Sequence, residues 1–235
     1  MSKKRSKRYQ KAAEQVGTDK SYSLADAIST VKKLPAPKFV PTVTLSFKLG
    51  VDPRKSDQMV RGSVSLPHGT GKNVRVVVFA QGAAAEAAIA AGAEHVGYED
   101  LIKKVQEGFV DFDSAIATPD AMAEVRKIAR VLGPRGLMPN PKTGTVTDDV
   151  AKAVNEVKAG RIDYKLDKNG NISGAIGKAD FEEGKLAENA RAFVDSVVRS
   201  KPASAKGNFV QSVTLAASML PGLPIEASAY AKATA

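Results

Sequence analysis

The middle of the chain alternates between apolar runs of strand length and segments with helical periodicity. Residues Val74–Ala80 (VRVVVFA) form a β-branched and aromatic run, which predicts a buried strand. The Ala-rich stretch Ala83–Ala93 follows and predicts a helix that ends near Gly92. Short strands are also predicted at His95–Val96 and Phe112–Thr118. Strands that alternate with helices in this way predict a parallel sheet with right-handed crossovers.

Two further helices complete this pattern. The segment Tyr98–Gly108 predicts a helix that ends at Gly108 and places three apolar residues on one face. These residues are Leu101, Ile102 and Val105. Pro119 opens the next helix, whose predicted buried face consists of Met122, Val125, Ile128 and Val131.

In the flanking segments, apolar and polar residues alternate one by one. The run Val43–Leu49 (VTLSFKL) has the period of two that is typical of a strand buried on one face. The run Arg161–Leu166 (RIDYKL) repeats it, and the turn dipeptide Asn169-Gly170 then leads into Asn171–Ile176 (NISGAI). Two strands joined by such a turn predict a β-hairpin.

Neither flank has enough elements to close a core, although the second also contains a predicted helix at about 185–199 and a strand near 209–215. Together the two flanks do have enough. We therefore predict α/β and α+β architecture in two domains. Residues 1–67 and 161–235 form a split α+β domain, and residues 68–160 form an inserted Rossmann-like domain with a parallel sheet. Turn residues cluster at both predicted crossings.

The net charge of +10 is unevenly distributed along the chain. Residues 68–160 contain 11 basic and 12 acidic residues, which leaves 24 basic and 13 acidic of the chain's 35 and 25 for the two flanks. Part of this excess is an N-terminal cluster, formed by Lys3, Lys4, Arg5, Lys7, Arg8 and Lys11. A basic split domain favours a polyanionic partner, although such a cluster is also typical of a solvated tail.

The sequence contains few of the residues and motifs that enzymes use. There is no cysteine, and His68 and His95 are the two histidines. The segment HGTGK at 68–72 lacks the first Gly and the final Ser or Thr of a phosphate loop, and it precedes a predicted strand instead of following one. We expect no enzyme, no cofactor, no metal site and no small-molecule substrate.

No apolar run reaches membrane-spanning length, so we also expect no membrane contact and a cytoplasmic location.

One long segment, Gly133–Thr145, combines three prolines with three glycines. This composition predicts an ordered loop. Arg135, Asn140 and Lys142 are its candidate functional residues, and an RNA-binding role and an interdomain packing role are equally compatible with the sequence.

Several long stretches carry a family resemblance. They are LGVDPRKSDQMVRGSVSLPHGTGKNVRVVVFA (49–80), DFDSAIATPD (111–120), GPRGLMPNPKTGTVTDDVAKAVNEVKAGRI (133–162) and KPASAKG (201–207). Through them the whole chain resembles the bacterial family of large-subunit ribosomal protein L-one. The resemblance implies a split first domain with a Rossmann-like insert, which agrees with the pattern above.

The resemblance also implies a function. Members bind large-subunit rRNA at the mobile stalk, beside the exit site for deacylated tRNA, and repress their own operon mRNA. The implied partners are the rRNA stalk, exit-site tRNA, that mRNA and other ribosomal components, in the large subunit of the cytoplasmic ribosome. A nucleotide-dependent enzyme built on the middle domain is the alternative, because parallel sheets commonly bind ligands beyond their strand ends.

The resemblance further implies RNA-binding residues in the split domain. Beyond the N-terminal cluster these are Lys38, Phe39, Thr42, Arg54, Asp167, Lys168, Ser212, Ser218 and Met219. Positive charge suits phosphate, hydroxyls suit the ribose 2′-OH, and a phenyl ring can stack on a sugar or base or else cap the core.

Two stretches depart from the family pattern. Val40-Pro41 stand where the family usually has acidic residues. Ser218-Met219-Leu220-Pro221 stands where the family has Thr-Met-Gly-Pro, so that serine keeps the hydroxyl and Leu220 replaces a glycine. We expect the leucine to disturb a close or positive-φ backbone, so that Leu220→Gly would tighten RNA binding by about 1 kcal/mol.

Overall fold

A computed structural model describes residues 5–17, 20–205 and 207–226, and it groups them into two compact units. Unit 1 contains the described residues up to Gly71 and from Ile162 onward, and unit 2 is Lys72–Arg161. These divisions lie within a few residues of the predicted boundaries. That each unit is a separate domain stays a prediction.

The helices and strands are numbered in chain order. They are α1 (Lys7–Gln15), α2 (Leu24–Lys33), β1 (Thr42–Leu49), β2 (Arg61–Ser65), β3 (Val76–Phe79), α3 (Ala83–Ala90), β4 (His95–Gly97), α4 (Glu99–Gln106), β5 (Ser114–Ala117), α5 (Met122–Val125), α6 (Ala129–Leu132), α7 (Val150–Ala159), β6 (Arg161–Lys165), β7 (Asn171–Lys178), α8 (Glu183–Arg199), β8 (Val210–Ala217) and β9 (Leu223–Ile225).

Unit 1 is built on a four-stranded sheet of order β7-β1-β8-β9, in which each neighbouring pair is antiparallel. The alternation predicted for the first strand is confirmed, because Val43, Leu45, Phe47 and Leu49 are buried while the residues between them are not. Helices α2 and α8 cover the buried face of this sheet. In the core, Phe193 of α8 makes edge-to-face contacts with Phe47 and Tyr164, at centroid distances of 5.5 and 5.6 Å.

The predicted hairpin of β6 and β7 is wrong. β6 pairs with β2 in a separate two-stranded sheet, whereas β7 pairs with β1. The turn between them does form, and Gly170 adopts a φ of +78° in it. The backbone N–H of Leu166, between β6 and the turn, donates to Val60 O at 2.9 Å. The chain therefore enters the turn from a pairing with the β2 segment and leaves it into a pairing with β1.

In unit 2, β3 lies between β4 and β5 in a three-stranded parallel sheet, as predicted. All four residues of β3 are buried, and successive side chains enter two different cores. Val77 and Phe79 pack with α4, α5 and α6, whereas Val76 and Val78 pack with α3 and α7. The mixed α/β class and the parallel sheet are thus confirmed, and the Rossmann-like insertion stays a prediction.

The helix predicted to begin at Pro119 is interrupted. A 3₁₀ turn at Arg126–Ile128 separates α5 from α6, so the segment does not form one continuous helix. Val125 and Ile128 are buried as predicted, and Leu132 is buried with them. Met122 and Val131, also predicted for this face, are partly buried against the same core.

Candidate nucleic-acid interface

The four-stranded sheet of unit 1 has a polar face, opposite the face that α2 and α8 cover. We call it the open face, and it consists of Thr42, Thr44, Ser46, Lys48, Asn171, Ser173, Ala175, Ser212, Thr214 and Ala216. These residues share one side because they alternate with buried residues along each strand and lie opposite one another in the register. Each of them is half-buried or exposed.

Hydroxyl groups occupy the centre of the open face. Ser46 of β1 lies between Ser173 of β7 and Thr214 of β8, and the Ser46 and Ser173 Oγ atoms are 2.9 Å apart. Thr44 Oγ1 donates to the Ala216 carbonyl at 3.3 Å. A hydroxyl both donates and accepts hydrogen bonds, so this row can pair with ribose hydroxyls or with phosphate oxygens.

One end of the open face is formed by Lys48 and its neighbours. Lys48 lies between Asn171 and Ser212 in the register, and both Lys48 and Ser212 are exposed. The predicted site residues Asp167 and Lys168 lie in the turn just before Asn171 and are exposed as well. The structure thus brings Asp167, Lys168 and Ser212, which are far apart in sequence, to the same end of one sheet.

Asp167 organises this end. Its Oδ1 accepts hydrogen bonds from the backbone N–H groups of Asn169 and Asn171, at 2.8 and 2.7 Å. The hydrogen bond from Asn171 is the main reason why the pKa of Asp167 lies below its ordinary value, and the charge of Lys48 lowers it further. The geometry therefore gives Asp167 a role in shaping the turn that carries Lys168.

The opposite end of the open face is formed by Thr42 and two loops. The Ser218 backbone N–H donates to the Thr42 carbonyl at 3.0 Å, and the Ser218 hydroxyl lies 3.4 Å from the same oxygen. Met219, the next residue, has a φ of +62° and a side chain that is 66% exposed. Thr42, Ser218 and Met219 were predicted from separate stretches, and they adjoin one another here.

The loop that precedes β1 carries Lys38 and Phe39. Both residues are exposed, and 49% of Phe39 is accessible, so its ring does not cap the core. Val40, one of the departures from the family pattern, is 47% exposed. Its neighbour Pro41 is buried, and the Pro41 carbonyl accepts the Ala179 backbone N–H at 3.0 Å. Val40 therefore adds an exposed apolar side chain next to Phe39.

Helix α1 contributes a groove beside this end. The groove is lined by Arg5, Ser6, Arg8, Tyr9 and Met219. The Arg5 guanidinium carbon lies 4.4 Å from the centroid of the Tyr9 ring, which is a cation–π contact. Lys7 and Lys11 are exposed on the same helix, and Lys3 and Lys4 lie outside the described residues.

The expectation for Leu220 is wrong in its structural premise. The positive φ falls on Met219, and Leu220 is not among the residues with a positive φ. The Leu220 side chain is 8% exposed and belongs to the core of unit 1. Replacing it with glycine would remove core packing and give no relief of strain.

The remaining predicted residues lie elsewhere. Arg54 is exposed in the β1–β2 connection, where its backbone N–H donates to Asp52 at 3.0 Å. In unit 2, Arg135 is exposed in the turn after α6, and the Lys142 side chain lies outside what the structure describes. The loop is ordered around Asn140, whose backbone N–H donates to Thr145 Oγ1 at 2.7 Å and whose carbonyl accepts the Thr143 hydroxyl at 3.1 Å.

Six polar residues of the open face were missed by the site prediction, although the period-two alternation could have identified them. They are Thr44, Ser46, Lys48, Asn171, Ser173 and Thr214. Tyr9 was missed as well, because its contact with Arg5 depends on how the chain enters α1. Within the described residues no helix is long and apolar enough to cross a membrane, and no group of three or more His, Asp or Glu side chains forms a candidate metal site there.

Comparison of the sequence with known proteins identifies one family. Residues 28–221 match the Ribosomal protein L1p/L10e family. The chain is 54% identical over 230 residues to the large ribosomal subunit protein uL1 of Thermobifida fusca, with 98% of each chain covered. It is 57% identical over 225 residues to the protein of that name from Mycolicibacterium smegmatis, with 96% of each covered. With this identity along nearly its whole length, the chain belongs to the Ribosomal protein L1p/L10e family.

Proposed function

We propose that unit 1 binds large-subunit rRNA through the open face and the two loops at its Thr42 end. Family membership makes the chain a structural component of the large ribosomal subunit in the bacterial cytoplasm, and not an enzyme. The rRNA stalk is the binding site that we propose within that subunit. The observation that carries the proposal is the assembly of separately predicted residues around one polar sheet face.

The chemistry of the open face fits RNA better than DNA or protein. Its central row consists of hydroxyls, which can hydrogen-bond the ribose 2′-OH that distinguishes RNA. Cationic side chains stand at both ends, with Lys48 and Lys168 at one and Lys38 at the other. The exposed Phe39 ring and the Met219 thioether offer apolar contacts for a sugar or an unstacked base. These groups support recognition of RNA shape together with a few local contacts.

Two further roles extend the same proposal. A messenger RNA that presents the stalk's shape would occupy the same surface, so the chain would repress its own operon mRNA when rRNA is scarce. A position on the stalk beside the exit site would let the chain assist release of deacylated tRNA. The exposed Arg54 lies off the open face, and it supports a contact with that tRNA because it offers positive charge to a polyanion.

No observation favours the alternative, a nucleotide-dependent enzyme on unit 2. The segment His68–Lys72 lies between β2 and β3 and does not lead into a helix, so it lacks the helix N-terminus that holds phosphates in a phosphate loop. We therefore propose no second function.

The test is titration of the full-length chain with a stalk fragment of large-subunit rRNA and with an unrelated RNA hairpin of equal length, across a range of salt concentrations. We expect the stalk fragment to bind at least about 1,000-fold more tightly, with log affinity falling linearly as log salt rises. Equal affinity for the two RNAs at every salt concentration would show that the basic charge alone drives binding, and it would refute the proposal.

A further inference from the structure

The backbone at Met219 is held in an unfavourable conformation. Among the described residues Met219 is the only non-glycine residue with a positive φ, at +62°. It occupies the third position of a turn in which the Leu220 backbone N–H donates to the Ala217 carbonyl at 2.9 Å. Turns that need a positive φ there favour glycine or asparagine, because a side chain at that φ is disfavoured. Surrounding contacts must therefore fix this turn.

One such contact comes from a residue more than 200 positions away. Arg8 of α1 donates from Nη2 to the Met219 carbonyl at 3.0 Å and from Nη1 to the Pro35 carbonyl at 3.0 Å. The Pro35 carbonyl belongs to the loop that carries Phe39, so a single guanidinium joins the two loops at the Thr42 end of the open face.

Helix α1 is itself well anchored. Ala12 and Val16 are buried in the core of unit 1, and the Ser6 hydroxyl caps the helix by accepting the Tyr9 backbone N–H at 3.3 Å. Arg8 therefore projects from a fixed support, and its planar guanidinium can hold two carbonyls at a defined separation.

We propose that Arg8 is a positioning residue for RNA binding: it clamps the Pro35 and Met219 carbonyls and so presents Phe39 and Met219 in one geometry. This inference rests on the proposed function of the open face, and it changes the expectation that Arg8 contacts phosphate directly. A phosphate-binding arginine contributes to the salt dependence of binding, whereas an arginine whose Nη1 and Nη2 donate to backbone carbonyls acts through the geometry of its guanidinium, which lysine lacks.

Arg8→Lys keeps the charge and removes the two-pronged guanidinium, and Arg8→Gln removes both. We expect Arg8→Lys and Arg8→Gln to weaken binding to the stalk fragment to a similar degree, about tenfold. We expect both variants to leave the slope of log affinity against log salt unchanged, whereas loss of a phosphate contact in Arg8→Gln would lower that slope by about one. Lys7→Gln is the matched control on the same helix, and it should lower that slope by about one with a smaller loss of affinity at high salt. Wild-type affinity in Arg8→Lys would overturn the proposal.

A second measurement tests the clamp without RNA. Amide hydrogen exchange of the free full-length chain should be about tenfold faster at Leu220 in both Arg8 variants, while the amides in the middle of β8 exchange at the wild-type rate. Unchanged exchange at Leu220 would contradict the clamp even if affinity falls. If the wild-type chain fails to distinguish the stalk fragment from other RNA while Leu220 exchange still responds to Arg8, the proposed function fails and the clamp stands.

Discussion

Replacing Asn189 with alanine is expected to lower the free energy of unfolding of unit 1 by about 3 kcal/mol. Asn189 is fully buried in α8 and makes three hydrogen bonds through its side chain. Its Nδ2 donates to the carbonyls of Gly69 and Ile176 at 2.9 and 2.8 Å, and its Oδ1 accepts the His68 backbone N–H at 3.1 Å. Alanine would leave three backbone groups without these partners and would open a small cavity.

Urea unfolding of the full-length chain, followed by circular dichroism, measures this loss. Asn208→Ala is the matched control, since Asn208 is exposed in the loop before β8, and it should stay within about 0.5 kcal/mol of wild type. Equal unfolding midpoints for the two variants would mean that the Asn189 amide contributes nothing to the attachment of residues 68 and 69.

The second large effect is on RNA affinity. Ser46→Glu places a carboxylate at the centre of the open face, where Ser46 lies between Ser173 and Thr214. We expect binding to the stalk fragment to weaken about 100-fold, or about 2.7 kcal/mol, because the new charge repels phosphate and has to be desolvated on binding. Ser46 points away from the core, so the free energy of unfolding should change by less than about 1 kcal/mol.

The same substitution at Ser29 provides the control. Ser29 lies on α2, which covers the other face of the sheet, and its hydroxyl donates to the Asp26 carbonyl at 3.0 Å. Ser29→Glu changes the net charge by the same amount as Ser46→Glu, and we expect it to weaken RNA binding only a few-fold through long-range charge. Comparable losses from the two variants would place the RNA somewhere other than on the open face.

The strands and helices could be predicted from sequence wherever burial sets a clear period. β1 alternates strictly, and α4 buries Leu101, Ile102 and Val105 as its pattern predicts. Strand pairing could not be predicted in the same way. The alternation in β6 shows that one side is buried, but it does not show that the partner is β2 and not β7.

Predictions for the candidate site failed where a residue's role depends on contacts with distant parts of the chain. Residue type and family resemblance identified Arg8 and Met219, but the bond between them joins positions that are distant in sequence. Charge indicated a phosphate contact for Arg8, whereas the fold places two carbonyls beside it. The glycine of the family pattern drew attention to Leu220, although the positive φ belongs to the preceding residue. A backbone conformation of this kind depends on tertiary contacts, which the local sequence does not contain.

The central claim is that RNA lies on the open face and its adjoining loops, and hydroxyl-radical footprinting of the full-length chain tests it most directly. Phe39 and Met219 are exposed, oxidisable side chains beside that face, and Ile89 of α3 is an exposed reference in unit 2, 63% accessible. With the stalk fragment bound, oxidation of Phe39 and Met219 should fall severalfold relative to Ile89. Protection of Ile89, with Phe39 and Met219 oxidised as in the free chain, would contradict the account and place the RNA on unit 2.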